Sequence, residues 1–226
     1  MAGSAVLVVA AHPDDEVLGC GGTIARHAAA GDVVSVMILG EGATARPEGG
    51  GEASAASAGA ATAAAAILGA QPPVLCGLPD NRLDSIDLLD VIRLVEEQVQ
   101  ALMPTTVYTH HGGDLNRDHR IVHEAVVTAC RPLPGSSVRH LFAFETPSST
   151  EWGTPGTGEA FRAVRFVGIS ETWDAKRRAL DCYAAEMRPF PHARSVQAIE
   201  ALAQLRGSQV GLAAAEAFEV LREVEA

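Results

Sequence analysis

Two nearly unbroken apolar runs, Ala5–Ala11 (AVLVVAA) and Val33–Leu39 (VVSVMIL), constrain this chain more than any other feature. A strand without polar alternation is buried on both faces, which happens when helices cover both sides of a parallel sheet. Shorter β-rich runs follow at Pro73–Leu78, Thr106–Thr109 and His140–Phe144. Between the runs, Gly22–Ala30, Glu52–Leu68, Asp87–Leu102 and Asp118–Ala129 read as helices. Leu88, Leu89, Ile92, Val95 and Val99 recur at helical spacing, with Asp84 or Ser85 placed to cap that helix. A last strand over Ala163–Ile169 precedes two C-terminal helices near Thr172–Ala185 and Val196–Arg222. The alternation predicts an α/β fold, a Rossmann-like, mostly parallel sheet with helices on both faces. With 226 residues the chain suits a single domain over 1–226, its C-terminal helical segment, about 171–226, packing on the rest.

Composition removes several functional classes. The net charge is −11 and no Lys/Arg run breaks it, which argues against nucleic acid and against a strongly anionic substrate. No apolar run reaches the roughly 18 residues of a membrane span. The N-terminal apolar stretch has no basic segment ahead of it, so it reads as a strand, and the expected compartment is the cytoplasm. Cys20, Cys76, Cys130 and Cys182 form no C-x-x-C pair and read as reduced thiols in or near the core.

Ligands of open parallel sheets bind beyond the carboxyl ends of the strands. Two such ends are unusually polar here. His12-Pro-Asp-Asp-Glu16 follows the first strand; His110-His-Gly-Gly-Asp-Leu-Asn-Arg-Asp-His119 follows the Thr106–Thr109 strand, with His123 a helical turn later. A neutral imidazole and a carboxylate three positions apart can reach one metal ion, and a neighbouring carboxylate can stay uncoordinated as a base. Catalytic zinc takes about three protein ligands, so the second cluster has to supply the third. The competing structural reading, an acidic start to a helix, puts three consecutive acids against one another unless a cation is present.

The A-H-P-D-D-E motif, with an N-x-D-H element opening a later helix, resembles the LmbE/PIG-L family of zinc-dependent N-acetylglucosaminide-type deacetylases. The resemblance covers most of the chain. It implies an LmbE-like fold, Zn2+ held by His12, Asp15 and His119, and Asp14 as the general base. It also implies a small N-acylated, sugar-like substrate and, as relatives often show, a homo-oligomer. His123, at i+4 from His119, is a competing ligand. Many relatives carry H-P-D-H, whose first histidine serves the oxyanion or the leaving amine; here that position is Asn116. Asn can donate to an oxyanion but cannot act as a general acid. His192, in the Pro-interrupted Arg188–Arg194 link, is the outside candidate for the proton donor.

Arg46 on the Gly40–Gly51 loop, Asn81 and Arg82 after the third strand, His111 and Arg194 suit substrate contacts. Asp80, Glu145 and Arg206 are further polar groups on the same ground, while His27 and His140 read as structural or exposed. Pro147–Gly158 reads as a second loop. Two rival functions remain: an amidase acting on a sugar-linked conjugate such as a thiol–sugar, and a non-catalytic metal- or sugar-binding module. A dinucleotide site is disfavoured, because five polar or Pro residues occupy the turn after the first strand, ahead of the glycines of Gly19-Cys-Gly-Gly22.

Overall fold

The structure, a computed structural model, describes residues 3–42, 51–154, 156 and 158–225. Among the described residues, seven strands form one sheet: β1 (Ala5–Ala10), β2 (Val33–Gly40), β3 (Val74–Leu78), β4 (Thr106–His110), β5 (His140–Phe144), β6 (Arg165–Gly168) and β7 (Ala215–Glu223). Their order is β3-β2-β1-β4-β5-β7-β6. The first five run parallel, while β7 is antiparallel to both β5 and β6. The helices described between them are α1 (Asp15–Ala29), α2 (Gly51–Leu68), α3 (Leu88–Leu102), α4 (Arg117–Ala129), α5 (Trp173–Cys182) and α6 (Val196–Ser208).

The pleat of β1 divides the core as its composition requires. Val6, Val8 and Ala10 face a cluster with residues of α1, α2 and α5, and with Ile199 of α6. Leu7, Val9 and Ala11 face the opposite cluster, built with α3 and α4. Alternate side chains point to opposite faces of a strand, so a strand clad on both sides must be apolar throughout.

Three expectations need correction. The first helix begins at Asp15, not Gly22, and runs through the glycines with a break at Cys20. Those glycines are needed for proximity: a Cβ on Gly19 would lie 2.2 Å from the Phe144 ring, and one on Gly22 2.7 Å from Ile169. The α3 cap position is Asp87, not Asp84 or Ser85, which belong to a preceding 3-10 turn, Leu83–Ser85. The C-terminal segment is not all helical, because α6 ends at Ser208 and Ala215–Glu223 enters the sheet as β7. Local composition (AEAFEVLRE) suits a helix, but the slot between β5 and β6 offers backbone partners on both sides, and tertiary pairing overrides propensity. Most of the Gly40–Gly51 loop lies outside the described residues, and the Pro147–Gly158 loop contains a 3-10 turn at Thr150–Trp152.

Candidate metal centre

The chain leaves β1 in one direction toward β2 and β3 and returns beside β1 as β4. The order of the sheet therefore reverses between β1 and β4. At such a point the loops after the two strands diverge and open a crevice. Ala11–Asp14 follows β1, and His111–Asn116 follows β4.

Among the described residues, His12, Asp15 and His119 each offer a ligand atom, all within 4.8 Å of one another. Nδ1 of His12 and Nε2 of His119 both lie 3.2 Å from Asp15 Oδ2. Asp15 Oδ1 and both ring nitrogens of His119 are buried without a hydrogen-bond partner. Orphaned buried atoms on Asp15 and His119, beside the His12 ring, are what a cation would satisfy. The surroundings add negative charge. His12 Nε2 is 3.2 Å from Asp118 Oδ2 and 3.3 Å from Asp80 Oδ1, and His119 Nδ1 is 3.2 Å from Asp114 Oδ1. Burial pulls His12 down, but Asp118, Asp15 and Asp80 outweigh it and hold its pKa at about 10. Burial likewise opposes His119, which Asp15 and Asp114 raise to about 9. Imidazoles held protonated by surrounding carboxylates mark a place where a metal ion can replace protons.

His110 sits beneath the group. Its Nε2 accepts the Ala11 N–H at 2.9 Å, so its proton is on Nδ1, 3.3 Å from Thr146 Oγ1. The ring stacks on His119 at 4.0 Å, and burial together with that neighbour keeps it neutral. Asp118 accepts the Leu83 N–H with its other oxygen at 3.1 Å, tying the crevice to the 3-10 turn. Neither His110, Asp114 nor Asp118 could be singled out from sequence. They lie in the quoted polar segment, but only the fold separates ligands from the groups that orient them.

Asp14 is almost fully buried beside the group but outside its ligand set, with Oδ2 accepting from Arg194 Nη1 at 2.8 Å. Burial first, then the charge of Asp15, raises its carboxyl well above the usual range, and Arg194 partly offsets this. Arg194 Nε also donates to Ser148 Oγ at 2.7 Å, so its guanidinium is directed at the protein interior.

The remaining candidates are distributed as follows. Asn116 caps α4, its side-chain oxygen accepting the Asp118 N–H at 2.8 Å; its amide donates to Asn81 Oδ1 at 3.2 Å. Asn81 also donates to Asp80 at 3.0 Å, which places these two amides together at the crevice rim. Arg82 is exposed next to them. His192 accepts the Arg194 N–H on Nδ1 at 3.0 Å and meets Trp152 edge-on. His111 turns away from the crevice toward Glu219 (2.7 Å) and the Glu159 carbonyl (2.9 Å). His123 lies outside the metal group and bonds the His110 carbonyl through Nδ1 at 2.7 Å. Glu145 and Arg206 form a two-point ion pair with both contacts at 2.7 Å. His27 bonds Asp32 at 2.7 Å and Tyr108 at 3.0 Å. Arg46 lies outside the described residues.

Fold and site together define a class: a Rossmann-like α/β protein whose described residues place a His/Asp/His group able to hold a metal ion at the sheet's switch point. The chain belongs to the PIG-L family: a family model described as GlcNAc-PI de-N-acetylase matches residues 7–130. It is 30% identical over 149 residues to the uncharacterized deacetylase YaiS of Escherichia coli (strain K12), covering 64% of this chain and 75% of that one. Its fold is similar to that of GalB, the 4-carboxy-2-hydroxymuconate hydratase of Pseudomonas putida KT2440 (TM-score 0.78, 23% identity, 99% and 98% of the two chains). It is likewise similar to the N,N'-diacetylchitobiose deacetylase of Pyrococcus horikoshii (TM-score 0.76, 18% identity, 97% and 84%). No helix among the described residues is long and apolar enough to cross a membrane.

Proposed function

We propose that the protein is a zinc-dependent N-deacetylase, a hydrolase acting on the linear amide bond of a small N-acetylated, amino-sugar-type substrate. The observation that carries this reading is the buried Asp14 carboxylate, standing beside three converging ligand groups without joining them. A binding module has no use for such a carboxylate outside the ligand set; a hydrolase needs one as a base. His12, Asp15 and His119 would hold the ion. When bound, zinc supplies Lewis-acid polarisation and lowers the pKa of water from about 15.7 toward about 7. Asp14 accepts the proton of the attacking water, and its raised affinity for protons suits it to pass that proton on to the departing amine. The Asn116 amide and the His192 ring are the further donors we assign to the developing oxyanion or the amine. Asn81 and Arg82 on the rim, with Arg46, serve substrate hydroxyls.

Fold similarity extends to a protein named as a hydratase, so architecture alone does not select amide cleavage. Membership of the PIG-L family supports it. The test is amine release from a panel of N-acetylated sugars by zinc-loaded protein, beside two variants. Asp14→Asn is expected to keep its zinc and lose about 10²–10⁴ of its rate; His119→Ala is expected to lose zinc on metal analysis. An active Asp14→Asn removes Asp14 as the base, and full occupancy in His119→Ala removes His119 as a ligand. Release of amine from sugar-linked conjugates alone would favour the amidase.

A further inference from the structure

The backbone of Asp14 is held in an unusual conformation, with φ at +113°, a region that side-chain-bearing residues rarely adopt. Three contacts maintain it. The Asp14 carbonyl accepts from Val17 and Leu18 N–H groups at 3.0 and 2.9 Å, which starts α1. Its carboxylate takes the Arg194 contact described above. The third contact has no role in the chemistry proposed so far: the Asp14 N–H donates to Glu16 Oε2 at 3.1 Å. The other oxygen of Glu16 accepts the Tyr183 hydroxyl at 2.6 Å. Both Glu16 and Tyr183 are 3% exposed.

A buried carboxylate so close to Asp14 and Asp15 is costly unless each oxygen has a donor. Tyr183 and Asp14 supply one each. Without the Tyr183 hydroxyl, one oxygen of Glu16 loses its donor, and the carboxylate is free to rotate and release the Asp14 N–H. We infer that Tyr183, at the end of α5, is a positioning residue: through Glu16 it fixes the backbone that aims the Asp14 carboxylate. The base is thus set from the C-terminal part of the chain, through a Tyr183–Glu16 contact that spans 167 residues in sequence. This rests on the reading of Asp14 as the base.

The test uses the full-length protein and four variants. Tyr183→Phe keeps the ring and removes only the hydroxyl. Glu16→Met removes both hydrogen bonds. Glu16→Gln is the rescue, since its carbonyl can accept from Asp14 and its amide can donate to the Tyr183 oxygen. Asp14→Asn is the control for the base itself. With zinc-loaded protein and N-acetyl-D-glucosamine as probe, Tyr183→Phe and Glu16→Met are expected to lose about 10–100-fold in kcat. KM and zinc content should stay at wild-type values, and Glu16→Gln should stay near wild type throughout. In zinc-free protein, hydrogen exchange at the Asp14 amide, followed by NMR, should accelerate in Tyr183→Phe and Glu16→Met but not in Glu16→Gln. Unchanged exchange in Tyr183→Phe overturns the inference whatever the probe's turnover, as does an unchanged kcat where Asp14→Asn is inactive. An active Asp14→Asn overturns the base assignment separately.

Discussion

Asp114 shows how much a single carboxylate can organise. One oxygen lies 3.2 Å from His119 Nδ1 and accepts the Asn116 N–H at 2.8 Å and the Ser149 hydroxyl; the other accepts the Thr150 hydroxyl at 2.6 Å. Burial opposes its ionisation, but His119 and the two hydroxyls hold its pKa at about 2. It is therefore charged at any working pH and presents the Nε2 side of His119 to the metal group. Carboxylates behind metal-binding histidines are worth about 10–100-fold in affinity. Asp114→Asn is expected to weaken zinc binding by about that factor in a competition titration with a chromophoric chelator. An affinity equal to wild type would show that packing alone orients the ring. In the sequence, Asp114 could not be distinguished from Asp118, since both stand in the same polar segment. They serve different histidines because one precedes α4 and the other lies in its first turn.

Between elements, His111 ties the loop after β5 to the sheet. Both its ring nitrogens are engaged, one with Glu219 of β7 and the other with the Glu159 carbonyl, while Glu219 also accepts the Arg162 N–H at 2.8 Å. A carbonyl and a carboxylate both accept, so the ring donates twice and is an imidazolium. Burial pulls its pKa down, but Glu219, the Glu159 carbonyl and Asp114 outweigh this and raise it, and His111 in turn lowers that of His123. A pKa raised by folding contributes stability that is fully present below the unfolded value, about 6.5, and fades as pH rises through the folded one. The difference in Tm between wild type and His111→Gln should be widest below about pH 6.5 and narrow above it. A difference independent of pH would mean that His111 contributes only by packing. The sequence offered His111 as a substrate contact because of its place after a strand. Its partner lies in β7, a segment that reads as helix, so the pair could not be foreseen.

Across the molecule, a buried ion pair joins the two halves of the chain. Lys176 of α5 donates to Glu216 of β7 at 2.6 Å and to the Leu18 carbonyl at 3.0 Å. Glu216 also accepts from the N–H groups of Gly22 and Thr23 and from the Thr23 hydroxyl, at 2.9, 2.7 and 2.6 Å. Breaking such a pair from one side leaves a buried charge and costs about 3–5 kcal/mol, whereas replacing both partners by apolar groups often does not. Urea denaturation should therefore find Lys176→Met destabilised by about 3–5 kcal/mol. The double variant Lys176→Met with Glu216→Met is expected to recover part of that loss. A single variant as stable as wild type would leave the pair without a stabilising role.

From sequence alone came the five parallel strands, most helix positions and the segments that supply the metal group. These follow from local causes: double-sided burial writes itself as an apolar run, and ligands cluster where strands end. The tertiary structure alone decided the strand identity of Ala215–Glu223, the early start of α1 and the orienting roles of His110, Asp114 and Asp118. It alone also joined Arg194 and Tyr183 to the Asp14 turn. Most depend on partners tens of residues or more away, or on a slot in the sheet. Such contacts leave no periodicity in the chain that makes them.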